Sequence, residues 1–129
     1  MADRYSVTKL MAIFVIKQMA AMSPLSSSNV IVNIVAPGFC KSELTRENNS
    51  LGLRIFKRLA ARETEVGSRT LIYGASAPVE SHGQYVPDCK ITPTAGLTKG
   101  EAGAELQNRI WMEIRAKLEY IQPGVTSLS

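Results

Sequence analysis

Apolar side chains recur at Val7, Leu10, Met11, Phe14, Val15 and Met19, close to the i, i+3, i+4, i+7 spacing of one helix face. The pattern predicts a helix over 3–22. Ile13, Ile16 and Ala20 widen its stripe, so it packs on more than one neighbour. "SPLSSSN", with Pro24 and a run of serines, ends it. The next stretch, "VIVNIVAPG", is a continuous β-branched run stopped by Pro-Gly. It predicts a strand over 30–36 that is buried on both faces, the habit of parallel sheets covered by helices. Two helical patterns follow, the basic "LGLRIFKRLAAR" at 51–62 and "TEVGSRTLIYGASA" at 64–77. "GQYVPDCKI" (83–91) predicts one short strand running into a loop. A last helix is expected over 98–121, with Leu106, Ile110, Trp111, Ile114 and Leu118 on its apolar side and a frayed tail at 122–129.

Two such strands do not make an independently stable sheet, and a strand as apolar as 30–36 needs neighbours on both edges. About two strands and four to five helices therefore read as one partial α/β domain covering 1–129, half of a larger fold. An unpaired edge on that strand predicts self-association. The composition is that of an ordinary globular protein: 45% hydrophobic and 20% charged over 129 residues. A net charge of +4 is mildly basic, but only 6% of residues are aromatic and no stretch interleaves them with Arg or Lys. That argues against nucleic-acid binding. Cys40 and Cys89 are expected to be free thiols of a reducing compartment, and His82 is the single histidine, which argues against a zinc site. No apolar run reaches bilayer length, and the expected location is the cytoplasm. The basic amphipathic stretch 51–62 has a second reading as a segment lying on an intracellular membrane surface. The favoured reading is a solvated helix covering a pocket.

Two places hold candidate chemistry. Tyr5 and Lys9 stand one helical turn apart on one face. A phenol is a poor acid or base at neutral pH unless a nearby ammonium stabilises its anion, so the pair suits proton transfer. It is equally what an ordinary amphipathic helix carries. The second place is the end of the β-branched run, where backbone amides after Gly38 and the Ser42 hydroxyl could hold a carboxamide or a phosphate. Pro-Gly is also a common strand-ending turn. Cys40 has no base near it in sequence, His82 reads as an exposed turn residue, and Trp111 and Tyr120 read as core and helix-end packing.

Taken together and in order, "YSVTKL", "PGFCKSEL", "TEVGSRTLIYGAS", "SHGQYVPDC" and "NRIWMEI" resemble the C-terminal half of a short-chain dehydrogenase/reductase, in its retinol-dehydrogenase-like and fungal branch. The resemblance covers residues 4–115 in one register. It implies a Rossmann-type doubly wound parallel sheet and NAD(P)-dependent oxidation or reduction of a carbonyl or alcohol on a small molecule, in fungal secondary metabolism. By position it makes Tyr5 the general acid/base and Lys9 its pKa-lowering partner and a ligand of the nicotinamide ribose. Pro37, Gly38, Phe39 and Cys40 would contact the nicotinamide, and Ser42 stands where the family has a cofactor-touching Thr. Residues 43–62 would cover the substrate, and the Tyr5 helix would form a homo-oligomer interface. The family's Gly-rich T-G-x-x-x-G-x-G turn, its Asn-Asn-Ala-Gly strand and its catalytic Ser have no counterpart in the 129 residues. The resemblance therefore implies redox activity only when an N-terminal half is supplied. The other two readings are a binding or scaffold module and a cofactor-independent biosynthetic enzyme.

Overall fold

A computed structural model describes residues 2–41, 60–94 and 96–127. Among them four α-helices and a two-stranded parallel sheet form part of a Rossmann-like α/β arrangement. Helix α1 is Ala2–Met22, α2 is the single turn Leu25–Ser28, α3 is Thr64–Ala75 and α4 is Gly100–Ile121. Strand β1, Ile34–Ala36, pairs in parallel with β2, Tyr85–Pro87, in the register Ile34 to Tyr85, Val35 to Val86 and Ala36 to Pro87. The basic stretch 51–62 falls mostly outside the described residues.

Strand β1 is shorter and less buried than its sequence predicts. Val30 and Ile31 are exposed, and Ile34, Val35 and Ala36 are only half-buried. The reason is pairing: β2 offers three residues on one edge, and among the described residues no strand lies on the other. Upstream of β1, Val32 spends its backbone on the turn before β2 instead. Its carbonyl accepts from Gly83 N–H at 2.7 Å and its N–H donates to His82 Nδ1 at 3.2 Å.

Helix α3 crosses over β1 at very close range, and glycine makes that possible. A Cβ on Gly74 would stand 2.4 Å from Val35 Cγ2, so any side chain there would push helix and strand apart. The Asn33 amide locks the same crossing, donating to Gly74 O at 2.8 Å and to the buried Ser81 Oγ at 3.3 Å. Helices α1 and α4 pack together on their apolar sides, with Phe14 and Trp111 buried. Lys17 Nζ donates to Thr98 O at 3.4 Å and Gln107 Nε2 to Gln18 Oε1 at 2.8 Å along that seam.

Two sequence expectations change here. His82 is not an exposed turn residue: it is half-buried, with a partner on each ring nitrogen, because β2 begins directly beneath the end of α1. Tyr120 is 90% exposed rather than packed. Residues 122–127 fold back against the end of α4. Glu119 accepts from Gly124 N–H at 2.6 Å, from Thr126 N–H at 2.9 Å and from the Thr126 hydroxyl, and Thr126 is buried. These hydrogen bonds hold the Glu119 carboxyl below the usual glutamate range, the Thr126 hydroxyl contributing most.

Candidate active site

Tyr5 and Lys9 occupy the first turns of α1, in a stretch from Arg4 to Lys9 where every side chain is exposed. The apolar face predicted for the helix is thus covered only in its second half: Val7 and Met11 remain open to solvent while Phe14 and Ala20 are buried. The i, i+4 spacing brings Lys9 Nζ over the Tyr5 ring, 5.4 Å from its centroid, a cation–π distance. Tyr5 itself is 56% exposed.

The second candidate segment leaves the carboxyl end of β1. Gly38 takes φ +77°, a left-handed conformation that side-chain-bearing residues rarely adopt, and this turns the chain sharply after Pro37. Phe39 is exposed, and the half-buried Cys40 thiol lies 3.5 Å from Pro37 O. The turn is held from α3. A Cβ on Gly67 would stand 2.3 Å from Cys40 Sγ, so glycine there is what lets the thiol sit against the helix.

The two segments meet. Tyr5, Lys9, Pro37, Gly38, Phe39 and Cys40 all line one cleft of about 680 Å³. Its aliphatic lining comes from Ile13 and Ile16 of α1, Ile34 and Val35 of β1, and the exposed Leu71 of α3. Ser42, the remaining predicted site residue, lies outside the described residues, as do residues 43–59 of the predicted substrate-covering stretch.

Sequence reasoning missed the residues that brace the Pro37–Cys40 turn. Arg62 pairs its backbone with this segment, its N–H donating to Phe39 O and its carbonyl accepting from Lys41 N–H, each at 2.9 Å. Its guanidinium lies over Gly38 and forks onto Asp88, just past β2, with Nη2 to Oδ2 at 3.1 Å beside the Nη1–Oδ1 contact. Asp88 reaches it from a left-handed turn, φ 52°. The Arg62 hydrogen bonds hold the Asp88 carboxyl below the usual aspartate range, and Asp88 in turn raises the guanidinium further. Lys41 also pairs with Glu63, and the Thr64 hydroxyl donates to Lys41 O at 2.8 Å instead of capping α3. None of these links follows from local spacing, because each joins segments about twenty residues or more apart along the chain.

The fit to a nicotinamide dinucleotide can be tested on this geometry. The cleft has room for the ring-and-ribose end of such a molecule. The Pro37–Cys40 turn presents backbone to it and Lys9 supplies a hydrogen-bonding cation. These residues fit that end of the cofactor. They do not include a glycine-rich cradle for its diphosphate.

No family model and no solved structure matches the chain. Curated fungal proteins do. The "Short chain dehydrogenase/reductase dmxR8" of Cryptosporiopsis sp. is 42% identical over 125 residues, which is 97% of this chain and 39% of that protein. The "Short-chain dehydrogenase anuD" of Penicillium roqueforti is 31% identical, with 97% of this chain and 35% of its own length aligned. The "Short chain dehydrogenase FGM9" of Gibberella zeae is 36% identical, with 97% and 38% aligned. The chain thus spans 35–39% of the length of these curated relatives.

Proposed function

Because the chain belongs to the short-chain dehydrogenase/reductase family, we propose that it carries the acid/base helix and the nicotinamide-side wall of an NAD(P)-dependent oxidoreductase acting on a small carbonyl or alcohol compound. The observation that carries this reading is that Tyr5 and Lys9 line one cleft with Pro37, Gly38, Phe39 and Cys40. The Tyr5 phenol delivers or removes the proton on the substrate oxygen. Lys9 stabilises the phenolate electrostatically and hydrogen-bonds the cofactor ribose, and the turn after β1, with Ser42, holds the carboxamide. The bound cofactor supplies or accepts the hydride. The aliphatic lining suits an apolar substrate body, in keeping with a place in fungal secondary metabolism. The uncovered half of α1, with Val7 and Met11 exposed, supports a homo-oligomer built through that helix.

Because the aligned span is 35–39% of the relatives, the redox step is assigned to the chain together with the remainder of the family's domain. The test is a chimera joining the preceding part of the Cryptosporiopsis relative to this chain. It should oxidise or reduce a carbonyl–alcohol pair with NADH or NADPH. Tyr5→Phe should lower the rate about 10²–10⁴-fold, the usual worth of a positioned acid/base group. Turnover that survives Tyr5→Phe unchanged overturns the assignment. Turnover of a small molecule without nicotinamide favours instead a cofactor-independent enzyme using the same cleft.

A further inference from the structure

We infer that His82 is a positioning residue, a latch that ties the carboxyl end of α1 to the amino end of β1 and so sets where Tyr5 and Lys9 stand over the Pro37–Cys40 turn. The inference starts from the two ring nitrogens. Val32 N–H donates to Nδ1 at 3.2 Å, so Nδ1 carries no proton, and Nε2 must be the protonated nitrogen. Nε2–H then donates to Ala20 O at 2.9 Å. Ala20 lies in the last turn of α1, and its carbonyl, which also takes a longer hydrogen bond from Ser23 N–H at 3.3 Å, has a second lone pair for the ring. One imidazole in one tautomer thus ties a helix end to a strand approach.

The surrounding backbone makes the junction specific. Val32 N–H to the His82 ring, Gly83 N–H to Val32 O at 2.7 Å and Ile34 N–H to Gln84 O at 2.9 Å form consecutive links, so the ring stands in for a rung of the β1–β2 ladder. Gly83 adopts φ +69°, and a Cβ on it would come within 3.2 Å of the Ala20 Cβ. The last turn of α1 therefore rests against the same tripeptide that carries the latch. Among the described residues this is the hydrogen bond that joins α1 to the sheet side; its other long-range ties, from Lys17 and Gln18, run to Thr98 and α4.

The lever is long. From Ala20 to Tyr5 the helix rises about 22 Å, so a tilt of about 5° at the latch moves the Tyr5 end by about 2 Å. A misplacement of about 1 Å at reacting groups is enough for about a hundredfold in rate. That consequence rests on the Tyr5–Lys9 assignment above, whereas the latch itself does not.

The single histidine makes the test direct. Ring nitrogen NMR on the 129-residue chain should show one long-lived Nε2–H tautomer, and the Val32 amide should exchange slowly with solvent. His82→Phe should speed Val32 exchange at least about tenfold and shift the Tyr5 ring and Phe39 amide resonances. His82→Asn, whose side-chain oxygen can take the place of Nδ1, should restore Val32 protection. His82→Gln, which reaches toward the Nε2 position, should restore the Tyr5 and Phe39 resonances. A wild-type ring averaging between tautomers overturns the inference even if the Phe variant fails to fold. So does a folded Phe variant with Val32, Tyr5 and Phe39 unchanged. Because these signals are read without cofactor or turnover, the latch and the acid/base assignment can fail separately.

Discussion

Gly67 shows how a single missing methyl group shapes the site. Alanine is favoured over glycine in a helix interior by about 1 kcal/mol, so Gly67→Ala ought to stabilise α3 on propensity alone. Its Cβ, however, would stand 2.3 Å from Cys40 Sγ, and forced overpacking costs about 1–3 kcal/mol. The clash wins, and net destabilisation of up to about 2 kcal/mol is expected from urea unfolding. In a Cys40→Ala background the sulfur is gone and the sign should reverse, Gly67→Ala then stabilising by up to about 1 kcal/mol. A Gly67→Ala effect that is the same with and without the thiol would show that this contact does not set the spacing of α3 from the Pro37–Cys40 turn. Gly67 is one of nine glycines in the sequence, and nothing local marks it out. Only the folded neighbour, Cys40, gives it meaning. The reverse holds for Tyr5 and Lys9, whose proximity follows from helical spacing alone and was readable before any fold was known.

At the scale of elements, the long helices were legible because each repeats its apolar signal many times, and α1, α3 and α4 lie within two residues of their predicted spans. Strand β1 was over-read. "VIVNIVA" has the composition of a seven-residue buried strand, but strand length is set by the partner, and β2 offers only Tyr85–Pro87. The ion pair between Arg62 and Asp88 was invisible for a related reason, being a product of β2 ending beside the chain that returns to α3. That pair and the Glu119 cap give the elements an acid sensitivity of definite sign. Both carboxyls titrate below their usual values in the folded chain, Asp88 chiefly through Arg62 hydrogen bonds and Glu119 chiefly through the Thr126 hydroxyl. Their contribution is complete above the ordinary carboxyl range, about pH 4, and is lost as pH falls through the lower folded values. These two groups should therefore leave the thermal midpoint unchanged from pH 7 to about 5 and lower it below about 4. Asp88→Asn and Glu119→Gln should each lower the midpoint at pH 7 and flatten part of that decline. The effect should be small, since the Arg62–Asp88 pair is largely solvent-exposed. Variants whose acid profiles run parallel to the wild type would assign the decline to other groups.

For the whole molecule, the decisive feature is that the candidate site and an apolar groove share one cleft. It is lined by Tyr5, Lys9 and the Pro37–Cys40 turn and also by Ile34 and Val35 of a sheet that has two strands among the described residues. Apolar strand residues left half-buried, beside Ile13 and Ile16 on one wall and Leu71 on another, make a groove suited to an extended apolar segment. In the 129-residue chain at high concentration, the nearest such segment is β1 of a second copy. We therefore expect concentration-dependent self-association in sedimentation velocity and light scattering. Ile34→Lys, which puts a charge on the strand, should suppress it. A substitution on the remote end of α4, such as Tyr120→Ser, should leave it unchanged even though Tyr120 is the more exposed side chain. If Tyr120→Ser abolishes association and Ile34→Lys does not, exposed surface on α4 drives it and the strand edge is inert. A chain that stays monomeric at every concentration removes the unpaired edge as a source of attraction altogether.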